Sequence, residues 1–188
     1  MTATTTTALP QGLTAGTWAL DTSHTEASFT ARHAGVTKVR GTVKVTEGAL
    51  VLGDTLETSS VTATLDPTTV STGNENRDAH LKSADFFSAE TAEPWTFVST
   101  GIKQTGDDTY VITGDLTVNG VTKSVDLATE FSGVVVDPWG GTRAGAEATV
   151  TVSRKDFNMT WNVALEAGGV LVSDKVVINL DIAAVKQA

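Results

Sequence analysis

From Trp18 to the C-terminus, apolar residues return at every second position. In "EASFTARH", Ala27, Phe29, Ala31 and His33 fall on one side, and Glu26, Ser28, Thr30 and Arg32 on the other. The same period recurs in Val43 and Val45, in Val61, Ala63 and Leu65, and in Trp95 and Phe97. It recurs again in Ala146, Ala148, Val150 and Val152, and in Val176, Ile178, Leu180 and Ile182. A period of two belongs to a strand with one face in a core and one in water. The segments predict about eight antiparallel strands. Asn119-Gly120 reads as a tight hairpin turn, and Pro138-Trp139 as another, with Trp139 at the surface or at a mouth.

The inward positions are small. Ala27, Ala31, Gly41, Val43, Val45, Ala63, Gly114, Ala146, Ala148 and Val150 all belong to them. Strands with one apolar face hide those faces in a sandwich or a closed barrel. An eight-stranded barrel has a lumen just wide enough to be filled by side chains or to hold one small ligand. Methyl groups alone leave such a lumen underfilled, and an empty apolar void forfeits contacts on every side. The pattern therefore leaves two outcomes: a flattened, well-packed sandwich or a tube with an apolar guest.

Helical signal is thin. Residues 74–87 suit a short helix capped by Asn74, and residues 153–160 form a weaker candidate. Residues 1–15 are rich in Thr and Ala and lack periodicity, so a flexible tail is expected there, with one barrel domain over residues 16–188.

Charge and composition narrow the partners. The net charge is −9, which disfavours nucleic acid and, by charge alone, anionic membranes. The chain has no cysteine, which excludes disulfides, thiolate nucleophiles and Cys-ligated metals. The N-terminus has no basic start and no apolar run of signal length, so the expected setting is cytoplasmic. No apolar stretch approaches membrane-spanning length, and stable membrane insertion is not expected.

Several spaced motifs in order resemble the YceI family of lipocalin-like polyisoprenoid-binding proteins. "TWALDTSHTEASFTARHAG" carries the opening signature through Trp18, Asp21, His24, Phe29, His33 and Gly35. "VSTGNENRDAHLKSADFF", "PWTFVST", "GDLTVNGVTKSV", "SRKDFNM" and "VSDKVVINLDIAAV" follow collinearly to about Val185. The resemblance implies an all-β fold, an eight-stranded antiparallel lipocalin-like barrel with one or two short helices. It also implies an apolar tunnel for a polyisoprenoid such as an isoprenoid quinone or polyprenyl phosphate, with no enzymatic activity. Four positions depart from the family pattern. Ala27 and Ala31 replace larger aliphatics and widen the lumen, Ala34 stands for a common Leu or Met, and Asn158 for a common Gly.

The expected ligand contacts combine these readings. Ala27, Phe29, Ala31, Val43, Ala63, Trp95, Phe97, Leu116 and Ala148 line the tube, and His33 faces inward near a tunnel end. Leu81, Phe86 and Phe87 lid one end, and Phe157 and Trp161 border the tunnel. His24, His33 and His80 show no metal-ligand spacing, so neither a metal nor a cofactor is expected. Arg77 and Asp78 read as ties between helix and barrel rather than as head-group ligands. No G-x-S-x-G elbow or separated Ser-His-Asp set is present. The expected partner is a polyisoprenoid or other long-chain lipid. Fatty acid or fatty amide binding is the alternative, and a structural domain with a filled core the third reading. Nothing in the sequence excludes a homodimer.

Overall fold

A computed structural model describes residues 6–188. The strands are β1 (Gly16–Leu20), β2 (Glu26–His33), β3 (Thr37–Leu52), β4 (Ser60–Ser71), β5 (Trp95–Gln104), β6 (Thr109–Val118), β7 (Val121–Val136), β8 (Thr142–Ser153) and β9 (Val172–Lys186). All pair antiparallel in one sheet, which closes on itself through β3 and β4.

Nine strands make eight staves. β2 pairs with Thr37–Val43 of β3 and Val172–Asp181 of β9. β1 lies between the same neighbours further along, opposite Ala49–Leu52 and Ala184–Lys186. The two are halves of one stave, interrupted at residues 21–25. The interruption is held locally. Asp21 accepts from the backbone N–H and hydroxyl of Ser23, and the Asp21 carbonyl accepts from the N–H groups of His24 and Thr25. Thr25 Oγ1 donates to Ala183 O and accepts from Ala183 N–H, so the break leaves β9 satisfied.

Bulges bend the long strands enough to close the tube. They fall between Ala31 and His33, between Thr42 and Lys44, between Val45 and Glu47, between Ser99 and Gly101, and between Phe131 and Gly133. The Asn119-Gly120 turn has both residues at positive φ, 52° and 73°, the geometry that favours this dipeptide. At the other end of β7, Asp137–Gly141 turns the chain and leaves Trp139 86% exposed.

Helix α1 (Glu75–Lys82) begins as expected, with Asn74 Oδ1 accepting from Arg77 N–H at 3.0 Å. It ends five residues early. Ser83 takes extended backbone, and Phe86 and Phe87 follow in a turn whose N–H groups bond back to Ser83 and Leu81 carbonyls. The weaker candidate is one 3-10 turn, Arg154–Phe157, stopped by Asn158 in the left-handed region. Another short 3-10 turn covers Leu56–Thr58.

The described part of the expected tail lies along the barrel. Thr7 N–H donates to the Glu57 carboxylate, Ala8 bridges to Thr55, and Leu9 and Leu13 pack on the Trp18 cluster. Residues 1–5, also assigned to that tail, lie outside the described residues. Trp18, Leu52, Ala144 and Ala184 form a buried plug at the β1 end. At the opposite end, Phe86, Phe87, Phe157 and Met159 form a second cluster with Val43 and Val70.

Candidate functional site

Between these two clusters, an apolar cavity of about 260 Å³ runs inside the barrel. It extends from Leu20, Leu50 and Val61 near the plug to Leu81, Phe86, Phe87 and Met159 under α1. The tube is thus a barrel with a lumen, not a flattened sandwich.

Most of the residues expected at the lumen are brought together there. Ala27, Phe29 and Ala31 come from β2, Val43 from β3 and Ala63 from β4. Trp95 and Phe97 come from β5, Leu116 from β6 and Ala148 from β8. Leu81, Phe86, Phe87 and Phe157 close the α1 end. The phenylalanines find room above glycines. Phe29 lies over Gly41 and Phe97 over Gly114, so the inner surface is uneven rather than uniformly thin.

Two expected residues lie elsewhere. His33 is exposed and not in the wall. It is the last residue of β2, at the rim. The register against β9 also slips between Ala31 and His33, so the alternation loses its facing neighbour there. Trp161 is half-buried behind the lid. Its ring meets His80 edge-on at 4.6 Å and Phe86 at 5.4 Å, and it does not line the cavity.

The lid is held by polar ties. Arg77 donates to Thr72 Oγ1 and Thr72 O, at 2.7 and 2.9 Å, while Asp78 accepts from Thr72 N–H. His80 Nε2 lies 2.8 Å from Asp85 Oδ2. Asn119 of the β6–β7 turn donates to Phe86 O at 2.7 Å. The expected structural role of Arg77 and Asp78 fits this geometry.

The wall offers a guest almost no polar contact. Thr25, Ser28 and Thr129 line it, and each hydroxyl already donates to a backbone carbonyl. Arg154 is the one charged lining residue among those described, and it is 3% exposed. Its guanidinium donates to the carbonyls of Ser173, Met159 and Trp161 at 2.7–3.0 Å, with Asp174 3.6 Å away. Burial pushes its pKa down from an ordinary value so high that the group stays charged. Trp95 Nε1 is the exception, buried and without a partner among the described residues. A hydrocarbon laid against such a wall would be stabilised by exclusion of water, at about 25 cal/mol per Å² of apolar surface covered.

The sequence reasoning missed Arg154, which sits in a 3-10 turn where strand periodicity has ended. It also left out of the candidate set Leu127 on β7 and Ile178, Leu180 and Ile182 on β9. The alternation had already placed the three β9 residues on one face, so their signal was present.

Ser23, His24 and Asp21 do come together, but not as a catalytic relay. Both Ser23 Oγ and Asp21 Oδ2 approach the same ring nitrogen, His24 Nδ1, at 3.1 and 2.8 Å. A triad needs the two nitrogens divided between nucleophile and acid. Asp21 instead anchors Arg143 at 2.6 Å, and Arg143 bonds Asp137 at 2.6 Å. The Ser23 hydroxyl, then Arg143 and His24, hold the Asp21 carboxyl well below the usual carboxylate range. None of these residues lines the cavity. No group of three His, Cys, Asp or Glu suited to a metal occurs among the described residues.

The sequence profile of the YceI-like domain matches residues 18–184. A UPF0312 protein of Ectopseudomonas mendocina (strain ymp) is 44% identical over 138 residues, covering 73% of this chain and 72% of that one. Among solved structures, Burkholderia cenocepacia BcnA superposes with a TM-score of 0.73 at 20% identity, over 87% of this chain and 98% of its own. A polyisoprenoid binding domain from Saccharophagus degradans, implicated in plant cell wall breakdown, gives a TM-score of 0.70 at 13% identity, over 90% and 98%. The two structures share the barrel described above. With the profile spanning both the plug and the lid, and a relative of this identity over most of its length, the chain belongs to the YceI-like domain family.

Proposed function

We propose that this protein binds, stores or carries a long apolar amphiphile, a polyisoprenoid such as an isoprenoid quinone or polyprenyl phosphate, in the barrel lumen, without catalysing a reaction. The observation that carries this reading is the lumen itself, a continuous apolar cavity whose polar side chains are, among the described residues and apart from Trp95 Nε1, already bonded within the protein. The description of a same-fold domain as polyisoprenoid binding supports the choice of guest. Each buried CH2 contributes about 0.8 kcal/mol, offset by the entropy of ordering the tail.

A second reading, a fatty acid or fatty amide, is favoured by size. About 260 Å³ lies just under the roughly 300–1,000 Å³ usual for small-molecule sites, so one chain segment fits without rearrangement. An apolar tunnel discriminates weakly among such chains. The test is a chain-length series of prenyl quinones and of fatty acids, each scored by thermal stabilisation of the protein. A midpoint that climbs with prenyl length before levelling off supports the first reading. Stabilisation by fatty acids alone supports the second, and none by either argues for a ligand-free structural role.

A further inference from the structure

The barrel wall is not zipped along its whole length. β7 and β8 pair from Ala128 opposite Thr149 to Val136 opposite Thr142. Toward the lid, β7 from Val121 to Leu127 stays paired with β6, and β8 from Val150 to Ser153 stays paired with β9, but the two are not paired with each other. A groove of about 590 Å³ occupies the gap. Its floor is Val125, Val150, Val152 and Phe157, and these four also line the central cavity. The groove and the lumen therefore share a wall only one side chain thick.

The rim is polar. Ser124, Asp126, Thr151 and Asp156 border it, and the two strand edges present backbone N–H and C=O groups without a ladder partner. Lys123 is the informative residue. Its cross-strand partner is Leu116, which lines the lumen, so Lys123 starts from the inner face of β7. Yet it is exposed, and it borders the groove instead of the cavity. It takes part in none of the ion pairs found among the described residues. A lysine on the lumen face reaches water here because β8 is not beside it.

We propose that this gap is a lateral portal, through which the tail of an amphiphile enters the lumen and at which its oxygen-bearing head stays, held by Lys123 and the open strand edges. The proposal rests on the carrier reading and adds to it a route and a head-group site. Each end of the tube carries a buried apolar cluster. Trp18 and its neighbours plug one, and the lid at the other is tied by Arg77, Asp78 and Asn119. Side entry needs neither to unfold. One lysine set against Asp126 and Asp156 suits a neutral or singly charged acceptor, a carbonyl, amide or carboxylate, better than a multiply charged phosphate.

The absence of cysteine gives a clean test. Thr151→Cys places one thiol on the rim, to be blocked with a bulky maleimide. Thr62→Cys, an exposed site on β4, is the labelled control. Uptake is followed by the fluorescence of cis-parinaric acid, which has a carboxylate head, and of diphenylhexatriene, which has none. Labelled Thr151→Cys is expected to take up both probes more slowly by about tenfold, with the Thr62→Cys control unchanged. Lys123→Met is expected to weaken cis-parinaric acid about fivefold and leave diphenylhexatriene unaffected. Uptake by labelled Thr151→Cys at the unlabelled rate overturns the portal. Lys123→Met shifting both probes equally, or neither, overturns the head-group site. No uptake by the unlabelled protein overturns the carrier reading and the portal with it.

Discussion

Phe29 and Gly41 face each other across β2 and β3, and the phenyl ring occupies the space a side chain at residue 41 would need. A Cβ there would stand 2.5 Å from Phe29 Cζ and 2.8 Å from Thr72 Cγ2. Gly114 stands in the same relation to Phe97, with the Val98 carbonyl 2.7 Å from the added Cβ as a second obstacle. The lumen is shaped by these pairs, since each ring takes the space left over a glycine in the facing strand.

Gly41→Ala therefore destabilises the protein by about 1–3 kcal/mol, the usual cost of overpacking. Gly114→Ala costs more, because backbone cannot yield as a ring does. Urea unfolding of both variants measures this, and the order of the two losses checks the argument.

Ala63→Phe tests the cavity from the opposite direction. Ala63 lies in the wall of an open lumen, so an added ring enters empty space rather than a packed core. The expected outcome is a melting temperature unchanged or higher, with binding of a long-chain probe reduced by about tenfold or more. A large loss of stability would mean that the lumen has no room for the ring.

Arg154 holds the segment after β8 to the start of β9 through three close carbonyl contacts. Arg154→Met leaves those carbonyls without a donor and Asp174 with one partner fewer, Lys155 at 2.9 Å. A loss of about 3 kcal/mol is expected, as for other buried charged hydrogen-bond centres. Hydrogen exchange would show residues 158–172 opening first.

The interrupted stave carries an acid-sensitive contact. Asp21 is held low by the Ser23 hydroxyl and then Arg143, and Asp137 by Arg143 and then the Gly141 N–H. Both carboxylates bind protons less readily when folded. Their contribution is therefore complete above the ordinary carboxylate pKa near 4 and is lost as pH falls through the lower folded values. Arg143→Met should lower stability most at neutral pH, with the gap from the native protein narrowing below about pH 3. Part of the acid dependence of Asp21 should survive in the variant, because Ser23 still donates to it. Urea midpoints measured across pH decide both points.

The staves, the Asn74 cap and the Asn119-Gly120 turn were legible because each depends on residues close in sequence. So was most of the lumen wall, since alternation places Ala27, Phe29, Val43 and Ala148 on inner faces without knowledge of the partners. His33 and Trp161 were not. Alternation assumes an unbroken ladder, and His33 lies past a slip in it. Trp161 follows a 3-10 turn, where period two has no meaning. The unzipped stretch of β7 and β8 was invisible for a related reason. Both segments read as ordinary strands, and whether two edges meet depends on the curvature of the whole tube.

The proposed carrier role requires a hydrocarbon guest in the lumen. Solvent extraction of the protein purified from cells, followed by mass spectrometry, tests it most directly. The expected extract holds one class of long-chain amphiphile, recovered in near-equal amount to the protein and diminished in Ala63→Phe. An extract without lipid, together with no thermal stabilisation by added prenyl quinone or fatty acid, would contradict it.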